Sequence, residues 1–377
     1  MTFPQVLDTS ILSDDARDLY EKLHKRVIGQ DRAIKQFVKS YTAITTGLNK
    51  ENRPAGTFLF AGPTGVGKTE LVRAAAEALL GKRDNFTRID CAEFGREHEI
   101  AKLIGSPPGY LGHRETVPRL AQSKIDKWQN EKHKLNIILF DEIEKADYKL
   151  FEFLLGMLDS GKLTLGSGEE TDFAKTIVIL TTNLGSGEIK TMIEGSGIGF
   201  KGTPSERHDL DQKIYSKTKE VIEKHFSPEF VNRLDRLIVF RSLSEESLRQ
   251  ILDLELYDFE SRMWRSPWRL YDKKLDDKEY EMPTPLVINI RTSDSAKDFL
   301  IAEGTSPIYG ARELNRTIER YVAYPLGCLI GSRQAVSGDT IEIDYIKDSK
   351  ELKFTKINHK PPRDAKKLFG GLLLGPA

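Results

Sequence analysis

Gly62-Pro63-Thr64-Gly65-Val66-Gly67-Lys68-Thr69 is the stretch on which the reading of this chain turns. It satisfies G-x-x-x-x-G-K-[ST] at every fixed position. Phe58, Leu59, Phe60 and Ala61 precede it as a short apolar strand, and Glu70 to Leu80 follows as an Ala- and Leu-rich helix. Strand, glycine-rich turn and helix in that order predict a cradle for nucleotide phosphates. Glycines at 62, 65 and 67 let the backbone approach the phosphates with amides turned inward, and the helix N-terminus adds partial positive charge. Pro63, Thr64 and Val66 complete the cradle, Lys68 would reach the β- and γ-phosphates of ATP, and Thr69 would ligate Mg²⁺.

Downstream, Ile137-Ile138-Leu139-Phe140-Asp141-Glu142 is an apolar strand ending in two carboxylates. A buried strand delivers Asp141 to the water shell of the metal and Glu142 to a point beyond the γ-phosphate, where it could polarise an attacking water. The alternative is an acidic cap on the next helix. Thr181-Thr182-Asn183 ends a further apolar strand, so Asn183 is expected beside the same phosphate as a water-orienting amide. Arg233 and Arg312, taken alone, read as ordinary surface charges or salt-bridge partners.

Around these motifs, strands are expected at Thr87 to Asp90, Asn136 to Phe140 and Thr176 to Thr181. The last two are continuous apolar runs of the kind buried in a parallel sheet. Ser13 is expected to cap a helix over Asp14 to Lys25, and Asp31 another toward Thr46, with the turn Arg26 to Gln30 between them. Alternating helices and strands predict an α/β domain, a parallel central sheet flanked by helices, over 1–240. After Ser242 the pattern changes to a small, mostly helical domain over 241–358. Helices are expected at Glu245 to Arg262 and Ala311 to Leu329, and a β-hairpin from Thr340–Ile346 and Glu351–Thr355 turning at Asp348-Ser349-Lys350. Ser266 to Pro285 reads as an irregular insertion and 359–377 as a loose tail.

Lys+Arg and Asp+Glu both total 57 in 377 residues, which argues against a nucleic-acid partner. No run approaches the ~18 apolar residues of a membrane span, and no secretory leader is evident. Cys91 and Cys328 lack metal spacing and suit a reducing cytoplasm, where both read as small buried apolar residues.

The ordered motifs closely resemble the C-terminal ATPase module of the Clp-type AAA+ unfoldases. Val27-Ile28-Gly29-Gln30 is similar to the family's adenine-contacting turn, Asp141-Glu142-Ile143-Glu144-Lys145-Ala146 to its Walker B segment, and Gly105 to Gly112 to its substrate-gripping pore loop. Pro228 to Asp235 resembles its arginine-finger segment, and Tyr309-Gly310-Ala311-Arg312 its sensor-2 motif. The likeness covers roughly residues 15 to 345. It implies that Val27 and Ile28 meet the adenine, that Asn183 is sensor 1, that Arg233 acts in trans on a neighbour's ATP, and that Arg312 ties the small domain to the γ-phosphate. It also implies a hexameric ring that threads polypeptide past Tyr110 and Leu111.

Two features depart from the family's usual pattern. After Gly112 its glycine-rich stretch is replaced by His113-Arg114-Glu115-Thr116, a more charged pore. With neither an adaptor-binding domain before Ser13 nor a second ATPase module, a stand-alone single ring or a cut-down piece is expected. Ile198-Gly199-Phe200 lies where some family members dock a protease ring, or is a plain surface loop. The rivals to a threading unfoldase are a AAA+ switch that remodels one dedicated partner and a nucleic-acid motor.

Overall fold

Apolar runs buried on both faces build the first part of the chain. The computed structural model describes residues 11–47, 52–105, 118–196, 204–265, 287–305, 310–347 and 351–359. It divides into two units, Met1–Ser242 and Leu243–Ala377. The first unit opens with α1 (Asp14–Arg26), α2 (Asp31–Thr45), β1 (Gly56–Ala61), α3 (Lys68–Leu80), β2 (Thr87–Asp90) and β3 (Asn136–Asp141). A helix Tyr148–Ser160, a hairpin of β4 (Lys162–Thr164) and β5 (Glu170–Asp172), and β6 (Thr176–Thr182) follow. Helices Ser186–Ser196, Pro204–His225 and Pro228–Val231 lead to β7 (Arg236–Val239).

Five strands form one sheet in the order β2-β3-β6-β1-β7, and every neighbouring pair is parallel. The strands β3 and β6, expected in the middle of the sheet, and β1 are buried at every position. Alternation of side chains divides them between two cores. Phe58, Phe60, Ile137, Leu139, Ile177 and Ile179 pack with α1, α2 and α3. Leu59, Ala61, Ile138, Phe140, Val178 and Leu180 pack on the other face with the helix Tyr148–Ser160 and with Phe226 and Phe230. The result is the predicted sandwich of a parallel sheet between helical layers.

Local chemistry sets the helix ends. The Ser13 side chain accepts from Ala16 N at 3.3 Å, with Asp14 and Asp15 in the first turn and His24, Lys25 and Arg26 in the last. Asp31 does not cap α2 as expected. It is the first helical residue and pairs with His24 Nε2 at 2.7 Å, while Gln30 stands at the cap position with its side chain engaged elsewhere. The hairpin β4–β5 was not singled out from sequence, because three residues with polar alternation carry no apolar run, nor was β7, whose brief run Leu237-Ile238-Val239 fits a strand and a helix alike.

In the second unit a helix Glu245–Arg265 precedes β8 (Asn289–Thr292), a helix Asp294–Gly304, β9 (Asp339–Ile346) and β10 (Glu351–His359). β9 and β10 form the expected antiparallel hairpin, and β8 adds a third, parallel strand. His359, expected to begin the tail, is the last residue of β10. The expected helix Ala311 to Leu329 is composite: a tight turn Ala311–Glu313, a helix Leu314–Ile318, a π-type turn Glu319–Ala323 and a helix Tyr324–Gly331. Pro325 explains the widening, since it has no N–H for the carbonyl four residues back, and Tyr324 N bonds instead to Glu319 O. Cys91 is buried as expected, but Cys328 is exposed. Leu326 takes the inward position of that last helix, and two residues further on is about 200° around it.

Asp339 closes the hairpin. Its fully buried carboxylate is 2.7 Å from both Lys356 Nζ and His359 Nδ1 and accepts from Val336 N at 2.8 Å. Burial pushes this carboxyl up, but the bonds from Lys356, Val336 N–H and His359 more than offset it and hold it below its ordinary value. A depressed carboxyl contributes stability above its unfolded-state value and loses it as pH falls through the folded one. Asp339→Asn should therefore destabilise the hairpin by about 1–3 kcal/mol at neutral pH, read as faster amide exchange at Ile341 and Ile343. The difference from the parent should shrink as the medium is made acid.

Candidate active site

Parallel pairing brings the C-terminal ends of β1, β3 and β6 to one end of the sheet, where ligands of such sheets gather. β1 runs directly into the glycine-rich loop. Gly62 has φ 148°, and a Cβ there would lie 2.6 Å from the carbonyl oxygen of Phe240. Gly65 and Gly67 have φ of 73° and 103°, a region that side chains disfavour. Gly67 caps α3, so Lys68 and Thr69 lie in the first turn of the helix. Val27 is buried beside the loop, its Cγ1 3.8 Å from where a Cβ on Gly67 would be, and Ile28 is half-buried. Gln30 Nε2 donates to Val66 O at 3.1 Å and ties this turn to the loop.

Lys68 is only 8% exposed. Its ammonium donates to Gly62 O at 2.5 Å, Pro63 O at 2.8 Å and Asn183 Oδ1 at 2.8 Å. Thr64 Oγ1 reaches the same Asn183 oxygen at 3.3 Å. Asn183 is thus placed over the phosphate loop, as expected of a residue following β6. Its Nδ2 donates to Glu142 Oε1 at 3.3 Å, and its backbone N to Glu144 Oε1 at 3.1 Å.

Asp141 ends β3 and is nearly buried. Glu142 follows at φ 57° and ψ 53°, a left-handed conformation that is costly for a side-chain-bearing residue and turns the chain sharply. One hydroxyl links the Asp141 carboxylate to the backbone of Glu142: Thr181 Oγ1 donates to Asp141 Oδ1 at 2.5 Å and accepts from Glu142 N at 2.9 Å. Arg88 Nη2 holds the second Asp141 oxygen at 2.7 Å, and Lys145 Nζ holds Glu142 Oε2 at 2.5 Å. Glu144 Oε2 is buried without a hydrogen-bond partner. Nearby, burial first and then the Asp141 charge push the Cys91 thiol far above its ordinary range, which leaves it an unreactive packing group.

Thr181, Arg88, Lys145 and Glu144 were not assigned roles from sequence. Thr181 carried a signal, a hydroxyl in an otherwise apolar strand. Arg88 carried none, because its contact with Asp141 follows only from β2 lying against β3.

Arg233 is not brought to this site. Asp235 N donates to Thr57 O at 2.9 Å and Asp235 Oδ2 accepts from Thr57 N at 2.7 Å, which pins β7 beside the start of β1. Arg233 therefore stands at the opposite end of the strands from the phosphate loop, about 15 Å away by strand length. Its Nε lies 2.9 Å from Asp159 Oδ1 without hydrogen-bond alignment, and Arg53 Nη2 pairs with the same oxygen at 3.5 Å. Arg312 is exposed on the turn Ala311–Glu313 of the second unit. Tyr110 and Leu111, Ile198-Gly199-Phe200, Tyr309, the insertion Ser266 to Pro285 and residues 360–377 lie outside the described residues.

The residues present fit a magnesium nucleotide. A loop whose Gly62 has no room for a Cβ, a lysine at a helix N-terminus and an acidic pair at the end of β3 form one polar cluster. Thr181→Val keeps the shape of the strand but removes both hydrogen bonds. It should lower kcat for ATP about 10- to 100-fold, with KM changed much less, measured by steady-state ATPase kinetics.

Comparison with known proteins places the two units separately. A family model described as AAA domain (Cdc48 subfamily) matches residues 53–237, and one for the C-terminal D2-small domain of ClpB protein matches 268–343. The chaperone protein ClpB 1 of Parasynechococcus marenigrum is 37% identical over 326 residues, covering 86% of this chain and 33% of the relative. The ATP-dependent Clp protease ATP-binding subunit ClpC of Staphylococcus epidermidis is 37% identical over 342 residues, covering 91% and 38%. The chaperone protein ClpB of Meiothermus ruber is 37% identical over 324 residues, covering 86% and 33%. The chain thus spans about a third of the length of the curated relatives it matches.

Proposed function

Because this chain belongs to the Clp-type AAA+ ATPases, we propose that it hydrolyses ATP at the interfaces of a ring and uses the energy to unfold or remodel polypeptides. The observation that carries this reading is the split of its machinery. Lys68, Asp141, Glu142 and Asn183 cluster at one end of the sheet, and Arg233 stands at the other. An arginine held there cannot serve the ATP of its own subunit, but it can serve that of a neighbour.

Bound ATP supplies the phosphoryl group, and Mg²⁺ the charge that draws electron density from it. The amides of Gly65 to Thr69 and the Lys68 ammonium hold the phosphates, and Thr69 with Asp141 would hold the metal. Glu142, kept in place by Lys145 and Asn183, accepts the proton of an attacking water. Val27 and Ile28 line the adenine side, and Arg312 reports the γ-phosphate to the second unit. Arg233 of a neighbouring subunit completes the site, and a finger of this kind is worth about 10³- to 10⁵-fold in rate. Hydrolysis then depends on assembly, in a homo-oligomer that is a hexamer on this reading.

Tyr110 and Leu111 grip substrate by area and shape, without reading its sequence. Docking of a protease ring through Ile198-Gly199-Phe200 is a secondary element of the proposal. Two free cysteines accord with a cytoplasmic setting, and no helix among the described residues is long and apolar enough to cross a membrane.

Glu142→Gln should bind ATP and assemble but turn over at least ~100-fold more slowly. Arg233→Ala should fail in the same assay while leaving nucleotide affinity largely intact. Mixing the two variants should restore activity, since intact catalytic sites of one then meet intact arginines of the other. Failure of the mixture to recover would reject the action in trans. Separately, Tyr110→Ala should retain basal ATPase activity and lose unfolding of a tagged fluorescent protein. Unchanged unfolding would favour a switch that remodels its partner without threading.

A further inference from the structure

The outer edge of β7 carries features that nucleotide chemistry does not use. β7 is the last strand of the five-stranded sheet. One edge is paired with β1 from Phe58↔Arg236 to Ala61↔Val239, and the other has no neighbouring strand among the described residues. Leu237 and Val239 are half-buried there, and Arg236 is exposed. An edge of this kind offers unpaired backbone donors and acceptors to any extended chain that can lie beside it.

Two cavities adjoin that edge. The first, of about 440 Å³, is lined by Arg32, Lys35, Lys39, Val239 and Arg241 among others. The second, of about 390 Å³, lies further back along the strand, where Ile222, Val231, Leu234 and Leu237 provide an apolar floor. A narrow cavity lined by Arg32, Gln36, Tyr215, Val239 and Arg241 joins them through shared residues. The three make one groove, with α2 on one side and the helix Pro204–His225 on the other.

Charge is one-sided at the first cavity, whereas the second is lined by Glu223 and Asp235 as well as Lys219 and Arg236. Residues 32, 35, 36 and 39 share a face of α2 by helical spacing, and together with Arg241 they place four basic side chains around the first cavity. Asp31 is the acidic residue lining it, and that carboxylate is paired with His24 at 2.7 Å. Lys35 and Lys39 enter no ion pair among the described residues. Over the whole chain basic and acidic residues cancel, 57 against 57, so this concentration is local. Arg241 is held in place by its backbone, whose N donates to Gln30 Oε1 at 3.2 Å and whose O accepts from Gln30 Nε2 at 2.9 Å. Burial, and then the adjacent Arg32 guanidinium, lower its pKa, and the Asp31 carboxylate acts on it in the opposite sense.

We propose that the open edge of β7 receives an extended acidic segment of a protein partner as an added strand. Its carboxylates lie among Arg32, Lys35, Lys39 and Arg241, and an apolar side chain fills the cavity over Leu234 and Leu237. From Leu237 to Arg241 is four residues, so the apolar anchor and the acidic cluster of the partner are about 13 Å apart in extended chain. The chain's own 360–377 segment is the wrong occupant, because Lys360, Arg363, Lys366 and Lys367 outweigh Asp364 and would be repelled. Gln30, which anchors Arg241, also bonds Val66 O of the phosphate loop, so groove and nucleotide loop share one buried amide.

The test uses the full chain and a fluorescein-labelled peptide of alternating valine and threonine followed by three glutamates, read by fluorescence polarisation. Binding should weaken at least ~10-fold in the charge-reversed variant Lys35→Glu/Lys39→Glu and with salt. That variant should keep its basal ATPase rate, which shows that it is folded. A peptide of the same charge with prolines at the threonine positions cannot pair as a strand and should also bind at least ~10-fold more weakly. Bound peptide should slow amide exchange across residues 234–241. Equal binding of the proline peptide, indifference to the charge reversal, or equal displacement by a short single-stranded RNA would each overturn the proposal. The last would mark a general polyanion surface.

Discussion

The parallel register of β1 with β6 on one side and β7 on the other is the constraint on which this molecule depends. Parallel pairing sends the C-terminal ends of β1, β3 and β6 to one end of the sheet, so the glycine loop, the Asp141–Glu142 pair and Asn183 meet without any being adjacent in sequence. The same pairing holds Asp235 against Thr57, at the start of β1. A strand of about six residues is ~20 Å long, and that length keeps Arg233 from the phosphates of its own subunit. Strand geometry is therefore what the proposed action of Arg233 on a neighbouring copy rests on.

Within the site, neutral groups share the work of positioning with Arg88 and Lys145. The Thr181 hydroxyl spans Asp141 and the backbone of Glu142, and the Asn183 amide spans Lys68 and Glu142. Glu142 holds a left-handed backbone, a conformation that costs about 1–3 kcal/mol and persists only where its surroundings over-determine it. Here the bond from Glu142 N to Thr181 and the side-chain contacts with Lys145 and Asn183 supply that determination. A buried ammonium, two carboxylates and Arg88 lie close together in a region of low dielectric, where removing one charge alters the energy of all the others.

The second unit applies the same physics to a smaller frame. A fully buried carboxylate is tolerated at Asp339 because a lysine and a histidine of β10 and the backbone amide of Val336 meet it. A proline that cannot donate widens one turn of the helix carrying Leu326. On the first unit, the open edge of β7 joins a basic face of α2 to an apolar floor. No motif in the sequence announces that combination, because its residues come from three separate segments.

Much of the fold was legible in the sequence. Gly62 to Thr69 could be read as a strand–loop–helix phosphate cradle because glycine, lysine and threonine at that spacing have few other uses. The buried strands could be read because a strand covered on both faces must be apolar throughout. Glu142, Asn183 and Asp141 were foreseeable because each ends such a strand. The sequence could not show which strands are neighbours, and hence that Arg88 pairs with Asp141 or that the Thr181 hydroxyl bridges the Asp141 carboxylate and the Glu142 backbone. It marked Arg233 but not which end of the sheet holds it, and it left β8 and the hairpin β4–β5 unmarked because short, largely polar strands carry no periodic signal, and β7 because so brief an apolar run fits strand and helix alike. Local patterning is written into each segment by its own side chains. Strand order, register and the meeting of distant charges are decided only when the whole sheet closes, because their energies belong to pairs of segments and to neither one alone.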